Sequence, residues 1–175
     1  MRKHKGMRPQ DVAILLKITT LKDENFQLTK LAFSLYISAS EVSESLNRSR
    51  LAGLIDYNKM KVNKQSFLEF LEFGLKYVFP QQPGTLTRGI PTAHSHAFMK
   101  KVFSSEINYI WPTIKGEVLG LAIEPLYPKQ IEAIENDSDY YKLLALVDVI
   151  RVGKIREVKF AINELKTIFN EPPSK

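Results

Sequence analysis

Residues 28–63 constrain the fold most. Apolar spacing of helical type occurs twice there, across a gap too short for a long loop, and then gives way to two extended stretches. Leu28, Leu31, Ala32 and Leu35 mark one face of a helix over about 28–36. Val42 and Leu46 mark the inward face of a second over about 39–51. Ser38 with Glu41 three residues on reads as a capping box, each side chain meeting the other's orphan backbone N–H. Gly53 reads as the glycine that ends the helix. Leu54–Tyr57 and Met60–Asn63 then read as two short strands about a turn at Asn58-Lys59. The spacing inside the unit is tight. Ala32 is small enough to let the next helix cross closely, Val42 follows it by ten residues, and the Gly53-Leu54-Ile55 exit follows Val42 by eleven.

The flanks extend this pattern. Pro9 suits the first turn of a helix, where its missing N–H costs nothing, and Val12, Leu15, Leu16 and Ile18 form a stripe behind it. Ser66 and Glu69 suggest a second capping box, opening a helix over about 67–79. That helix is apolar nearly all round, which predicts burial on more than one side. Pro80 ends it. Residues 80–97, with three prolines and two glycines, read as an extended loop. Beyond it, Val118–Ile123 reads as a strand and 129–135 as a short helix. A helix over 139–151 buries Leu143, Leu144, Val147 and Ile150. The last helix, over 154–169, places Ile155, Val158, Ile162, Leu165 and Phe169 on a narrow seam of the kind helices use to pair.

Charge divides the chain unevenly. Residues 1–90 hold 14 Lys and Arg against 8 Asp and Glu, whereas residues 91–175 hold 11 of each, so the whole net charge of +6 lies in the first half. A basic half joined to a neutral half points to a polyanionic partner for the first. The absence of cysteine removes disulfides and thiolate metal sites. No run approaches the roughly 18 apolar residues a membrane span needs. The basic start Met1–Gly6 has no apolar run behind it, unlike a signal peptide. The cytoplasm is the expected compartment.

The span LTKLAFSLYISASEVSESLNRSRLAGLI resembles the recognition segment of bacterial winged-helix repressors, such as the multiple-antibiotic-resistance regulators and the gluconate-repressor-like regulators. The resemblance extends over about 9–79. It implies a winged helix-turn-helix docked on double-stranded DNA, with 39–51 as recognition helix. Tyr36 departs from it, standing where such turns usually have glycine, which predicts a longer or differently shaped turn. In the second half, LTRGIPTAH, EPLYP and LLALVDVIRVGKIREVKFAINELK resemble an uncharacterised prokaryotic group of predicted winged-helix regulators, which implies no ligand or reaction.

On a recognition helix the outward residues are Ala39, Ser40, Ser43, Glu44, Asn47 and Arg48. Asn pairs with adenine, Arg with guanine, and Ser with bases or phosphates. Glu44 repels phosphate and must accept from a cytosine or lie to one side. Thr29 and Ser38 suit phosphates at helix N-termini. Lys59, Lys61 and Lys64 lie on or near the exposed turn and suit phosphate or minor-groove contact.

Other constellations carry less. His94 and His96 form an i, i+2 pair without a third metal ligand at a recognisable spacing. Arg88-Gly89-Ile90-Pro91 reads as loop packing, Asp139 as a helix cap, Asp148 as an ion-pair partner of Arg151 or Lys142, and Trp111 as satellite core. No phosphate loop, nucleophile elbow or catalytic triad appears. The expectation is a mainly α protein: a winged helix-turn-helix at 9–79, a linker at 80–97 and a largely helical extension at 98–170. It needs no cofactor or metal, is no enzyme, binds DNA as a repressor or autoregulator, and dimerises through the 67–79 and 154–169 helices. A non-enzymatic adaptor whose winged helix binds a protein is the rival reading. An enzyme with its site in 86–151 is a third.

Overall fold

Eight consecutive residues of the first helix, Asp11 to Ile18, are buried, so its sequence stripe understates its role. In the computed structural model, which describes residues 6–21 and 25–170, this helix is α1 (Pro9–Thr20). The basic Met1–Lys5 segment lies outside the described residues. Among the described residues the chain is mainly helical with a small three-stranded sheet, and no helix is long and apolar enough to cross a membrane.

The fold divides into two compact units. Among the described residues the first comprises those through Phe67 together with Leu126–Tyr140; the second comprises Leu68–Pro125 and Tyr141–Asn170. This departs from the expected division at 80–97.

In the first unit, α2 (Leu28–Leu35) and α3 (Ala39–Leu51) pack with α1. Val12 to Leu16 meet a core that includes Leu31, Leu35, Val42 and Leu46. Each such aliphatic side chain contributes about 1.5–3 kcal/mol when fully removed from water. The turn between α2 and α3 is not longer than usual. Tyr36 itself takes the left-handed conformation, with φ 55° and ψ 35°. Its N–H bonds to Phe33 O and that of Ile37 to Ala32 O, both at 3.1 Å, closing the helix end. Ser38 Oγ accepts from the Glu41 N–H at 3.2 Å, so half of the expected capping box forms. The Glu41 carboxylate instead accepts from Gln10 and pairs with Arg8 and Arg48. Gly53, at φ 74°, ends α3 as expected, with the Leu54 N–H on Ser49 O.

The expected second capping box does not form the start of a helix. α4 (Lys64–Glu69) begins two residues before Ser66, and Asn63 O accepts from the Phe67 N–H. The short helix expected over 129–135 is α7 (Gln130–Ile134), and it belongs to this first unit. The fully buried Tyr140 fixes its neighbourhood: the hydroxyl donates to Ala13 O at 3.1 Å. Lys17 pairs with Asp137, whose other oxygen caps the Tyr140 N–H. Asp137, not Asp139, is therefore the cap of the following helix.

In the second unit a π-helical segment (Phe70–Gly74) leads into α5 (Leu75–Val78). Leu71 and Leu75 are buried, but Phe73, Tyr77 and Val78 are exposed, so the expected burial on several sides does not occur. The stretch expected as a linker carries β1 (Leu86–Thr92) and a 3-10 turn (Ala93–Ser95), followed by α6 (Ala97–Lys100). The first half of β1 pairs antiparallel with β3 (Val118–Ala122) and its second half with β2 (Tyr109–Pro112). β2 and β3 pair in parallel at Tyr109↔Leu121 and Ile110↔Ala122, which closes the ring. Gly89 sits in both antiparallel registers, and a Cβ there would lie 2.1 Å from Trp111 O. Only glycine permits that approach. Two further helices follow among the described residues, α8 (Ser138–Val152) and α9 (Ile155–Asn170). Of α8, Leu143 to Ile150 are all buried in the second unit. The α9 seam is real at Ile162, Leu165 and Phe169, which are buried within the chain itself, while Ile155 is exposed.

Candidate nucleic-acid interface

The side chains of α3 sort by helical period into two faces. Val42, Ser45, Leu46, Arg48 and Ser49 turn inward. Ser40 and Glu44 are exposed, Ser43 and Asn47 half-buried, and Leu51 continues the outer face at the helix end. The outer face is polar up to Asn47, and it is the face expected to carry Ala39, Ser40, Ser43, Glu44 and Asn47.

Arg48, expected on that outer face, is instead only 8% exposed. Its Nε and Nη2 donate to the two carboxylate oxygens of the fully buried Asp11 at 2.9 and 2.7 Å, and Nη2 lies 3.4 Å from Glu41. The hydrogen bond to Asp11, aided by the nearby negative charges, raises the guanidinium above its ordinary value. Asp11 in turn accepts from the Arg8 N–H at the start of α1. Arg48 thus ties α3 to α1 and is not available to a ligand. Helical spacing explains the difference: Arg48 follows Asn47 by about 100°, and that step crosses from the outer face to the inner.

The two expected strands after α3 reduce to a single antiparallel bridge, Ile55↔Val62. A carboxylate holds the turn between them. Asp56 Oδ1 accepts from the N–H groups of Met60 at 2.7 Å and Lys61 at 2.9 Å. Burial works to raise the Asp56 carboxyl, but backbone hydrogen bonds from Lys61, Met60, Asn58 and Lys59 outweigh it and hold it below its usual range. Lys59 takes φ 61° at the tip, and its N–H bonds to Asp56 O at 3.0 Å. Its ammonium reaches back and donates to Asn47 Oδ1 at 2.8 Å. The hairpin and the outer face of α3 therefore form one surface.

The remaining expected residues surround that surface less closely. Thr29 is exposed in the first turn of α2, and Ser38 caps α3. Lys61 is exposed on the hairpin, and Lys64 is the first residue of α4 rather than part of the turn. Arg50 was not foreseen. Its guanidinium lies 5.3 Å from the Tyr57 ring centroid, and Tyr57 is 80% exposed. The signal in the sequence was an arginine near the end of a helix followed, across a glycine, by an aromatic residue.

The second unit holds its own polar centre. Asp148, fully buried in α8, accepts from Thr92 Oγ1 at 2.8 Å, Trp111 Nε1 at 2.7 Å and Arg151 Nη1 at 2.8 Å. Burial raises its carboxyl, and the three donors counter that. Arg151 also reaches Glu124 O and Gln81. The cluster fastens the sheet to α8 through Thr92 and Trp111. His94 Nε2 lies 2.8 Å from Ile107 O, and His96 Nδ1 accepts from the Phe98 N–H. One ring nitrogen of each histidine is thus engaged by backbone. His94 also borders an open groove of about 660 Å³ with Tyr109, Ser105, Glu106 and Lys154.

Comparison with known protein families, curated proteins and solved structures finds no match to this chain.

Proposed function

We propose that the chain is a sequence-specific DNA-binding regulator, a repressor or autoregulator, acting in the cytoplasm as a homodimer. On this reading the first unit is a winged helix-turn-helix, α3 the recognition helix and the 54–63 hairpin the wing. The observation that carries the reading is the contact between Lys59 and Asn47. It joins a cationic hairpin tip to a polar outer helix face, and the excess of basic residues lies in the same half of the chain. An α-helix fits the major groove, where outward polar side chains meet base edges, while flanking lysines meet phosphates. Electrophoretic mobility shift with duplex DNA from upstream of the protein's own gene tests this. A retarded species that outlasts random competitor, and weakens as salt rises, is expected. No retarded species at low salt overturns the reading.

An adaptor that binds a protein through the same unit is the second reading. The exposed Phe33, 84% accessible, and Leu51, 69% accessible, favour it. Leu51 continues the α3 outer face, where an apolar residue suits a protein surface better than phosphate.

A further inference from the structure

Resting on the reading that the first unit docks on duplex DNA, we propose that Lys59 makes Asn47 a donor-only group, so that this surface reads guanine beside cytosine and not adenine. Lysine carries three donors and no acceptor. The Asn47 atom 2.8 Å from its ammonium is therefore the amide oxygen. The ammonium takes one lone pair of that oxygen and sets a positive charge against it. This disfavours approach of a second donor such as adenine N6–H₂, so the NH₂ is the group that Asn47 offers a base. Adenine presents an acceptor, N7, beside a donor, N6–H₂, and a bidentate asparagine needs both its oxygen and its nitrogen to match them. Guanine presents two acceptors, N7 and O6. The NH₂ of Asn47 and the remaining protons of Lys59 are adjacent donors that match that pair.

The hairpin makes the arrangement specific. Lys59 starts from a fixed backbone: its φ is 61° and its N–H is bonded to Asp56 O. The Asp56 carboxylate holds the next two amides. Glu44 supplies the complement. It lies one turn before Asn47 on the same outer face and is exposed. When ionised it only accepts. A carboxylate facing a duplex is repelled by phosphate and is satisfied in the groove by the N4–H₂ of cytosine. Donors at Asn47 and Lys59 with an acceptor at Glu44 thus specify guanine and cytosine at neighbouring positions.

The test is selection of bound duplexes from a random library, using the full chain as parent, Asn47→Ala, Lys59→Met and Glu44→Gln, each checked for unchanged helical circular dichroism. In the parent motif, the position whose preference is lost in Asn47→Ala is expected to be guanine. Lys59→Met frees the amide oxygen, and that position is expected to turn to adenine, a change on the order of tenfold in relative affinity. Glu44→Gln is expected to relax a neighbouring cytosine. A parent motif with adenine at the Asn47-dependent position, or one unchanged by Lys59→Met, overturns the inference while leaving duplex binding intact. No enrichment by the parent overturns the duplex reading and the inference with it.

Discussion

At the scale of single residues, adjacent positions on α3 have opposite duties. Arg48 neutralises Asp11, which is fully buried. Removing one partner of such a pair strands the other charge without solvent, which costs about 3–5 kcal/mol. Arg48→Ala is therefore expected to lower stability by that amount in urea denaturation. Asn47→Ala, on the half-buried outer face, is expected to change stability by no more than about 0.5 kcal/mol. It should cost about 1–3 kcal/mol in affinity for the cognate duplex. Equal stability of the two variants would put Arg48 back on the surface. The pair also shows what a sequence conveys about a site. Residue type and helical period indicated a polar outer face with Asn47 on it. They did not indicate Asp11 as a partner of Arg48, 37 positions away, because such an ion pair depends on how two helices cross. Tyr36 is similar. The sequence marked its position as one that favours glycine, and the backbone there is left-handed all the same, held by the two N–H bonds that close α2.

At the scale of elements, the signals that place α2 and α3 are local, whereas strand pairing is not. α2 and α3 lie within a residue of their expected bounds because the Ser38 cap, the Gly53 stop and the apolar period are all local. β1 was hidden in a stretch rich in proline and glycine. Its glycine serves the closure of the ring at Trp111 and not a turn, and no local pattern announces a strand that splits its pairing between two partners. The hairpin yields a prediction at this scale. Lys61 lies on the hairpin and Lys64 opens α4 just beyond it, so Lys61→Ala with Lys64→Ala should weaken cognate and random duplexes alike. The slope of log affinity against log salt should flatten by roughly 0.9 for each phosphate that the protein no longer neutralises. A double variant with the parental slope would show that the hairpin flank does not meet phosphate.

α6 offers a test of a different kind. Burial, helped by the positive charge of Lys142, lowers the His96 imidazole to about 4. The unfolded chain holds the same group near about 6.5. Between these values the unfolded state takes up the proton and the folded state does not, so stability is full above about 6.5 and falls as pH drops toward about 4. Asp148, raised by burial, acts in the opposite sense. The comparison that isolates the imidazole is parent against His96→Asn, which keeps an acceptor for the Phe98 N–H. Urea midpoints at pH 7 and pH 5 should separate in the parent and draw together in the variant. A parental difference that persists in His96→Asn would assign the proton elsewhere.

At the scale of the whole molecule, the proposed duplex binding would gain from two-fold symmetry, because one small domain contacts little DNA. A two-fold dimer meets two half-sites about 34–36 Å apart and gains from both. The sequence points to two helices for the interface; Lys166 of one pairs with Glu72 of the other at 3.0 Å, and their apolar residues differ in burial. Ile162, Leu165 and Phe169 of α9 are buried inside the second unit, so Ile162→Glu should destroy helical circular dichroism rather than split a dimer. Phe73, Tyr77 and Val78 remain, with 69%, 73% and 53% of their surfaces accessible. Phe73 and Tyr77 are four residues apart across a π-helical turn, a backbone irregularity that recurs at functional sites. Clustered large apolar side chains on a single chain mark surfaces that another molecule covers. A dimer through this face predicts that light scattering at micromolar concentration gives twice the mass of the 20.1 kDa chain. Phe73→Glu with Tyr77→Glu should return the single-chain mass with circular dichroism unchanged, since neither side chain supports the core. The same double variant should still shift duplex DNA, but with weaker affinity and a footprint of one half-site. A parent that scatters as one chain would remove the dimer, and a double variant that stays dimeric would move the interface off this helix.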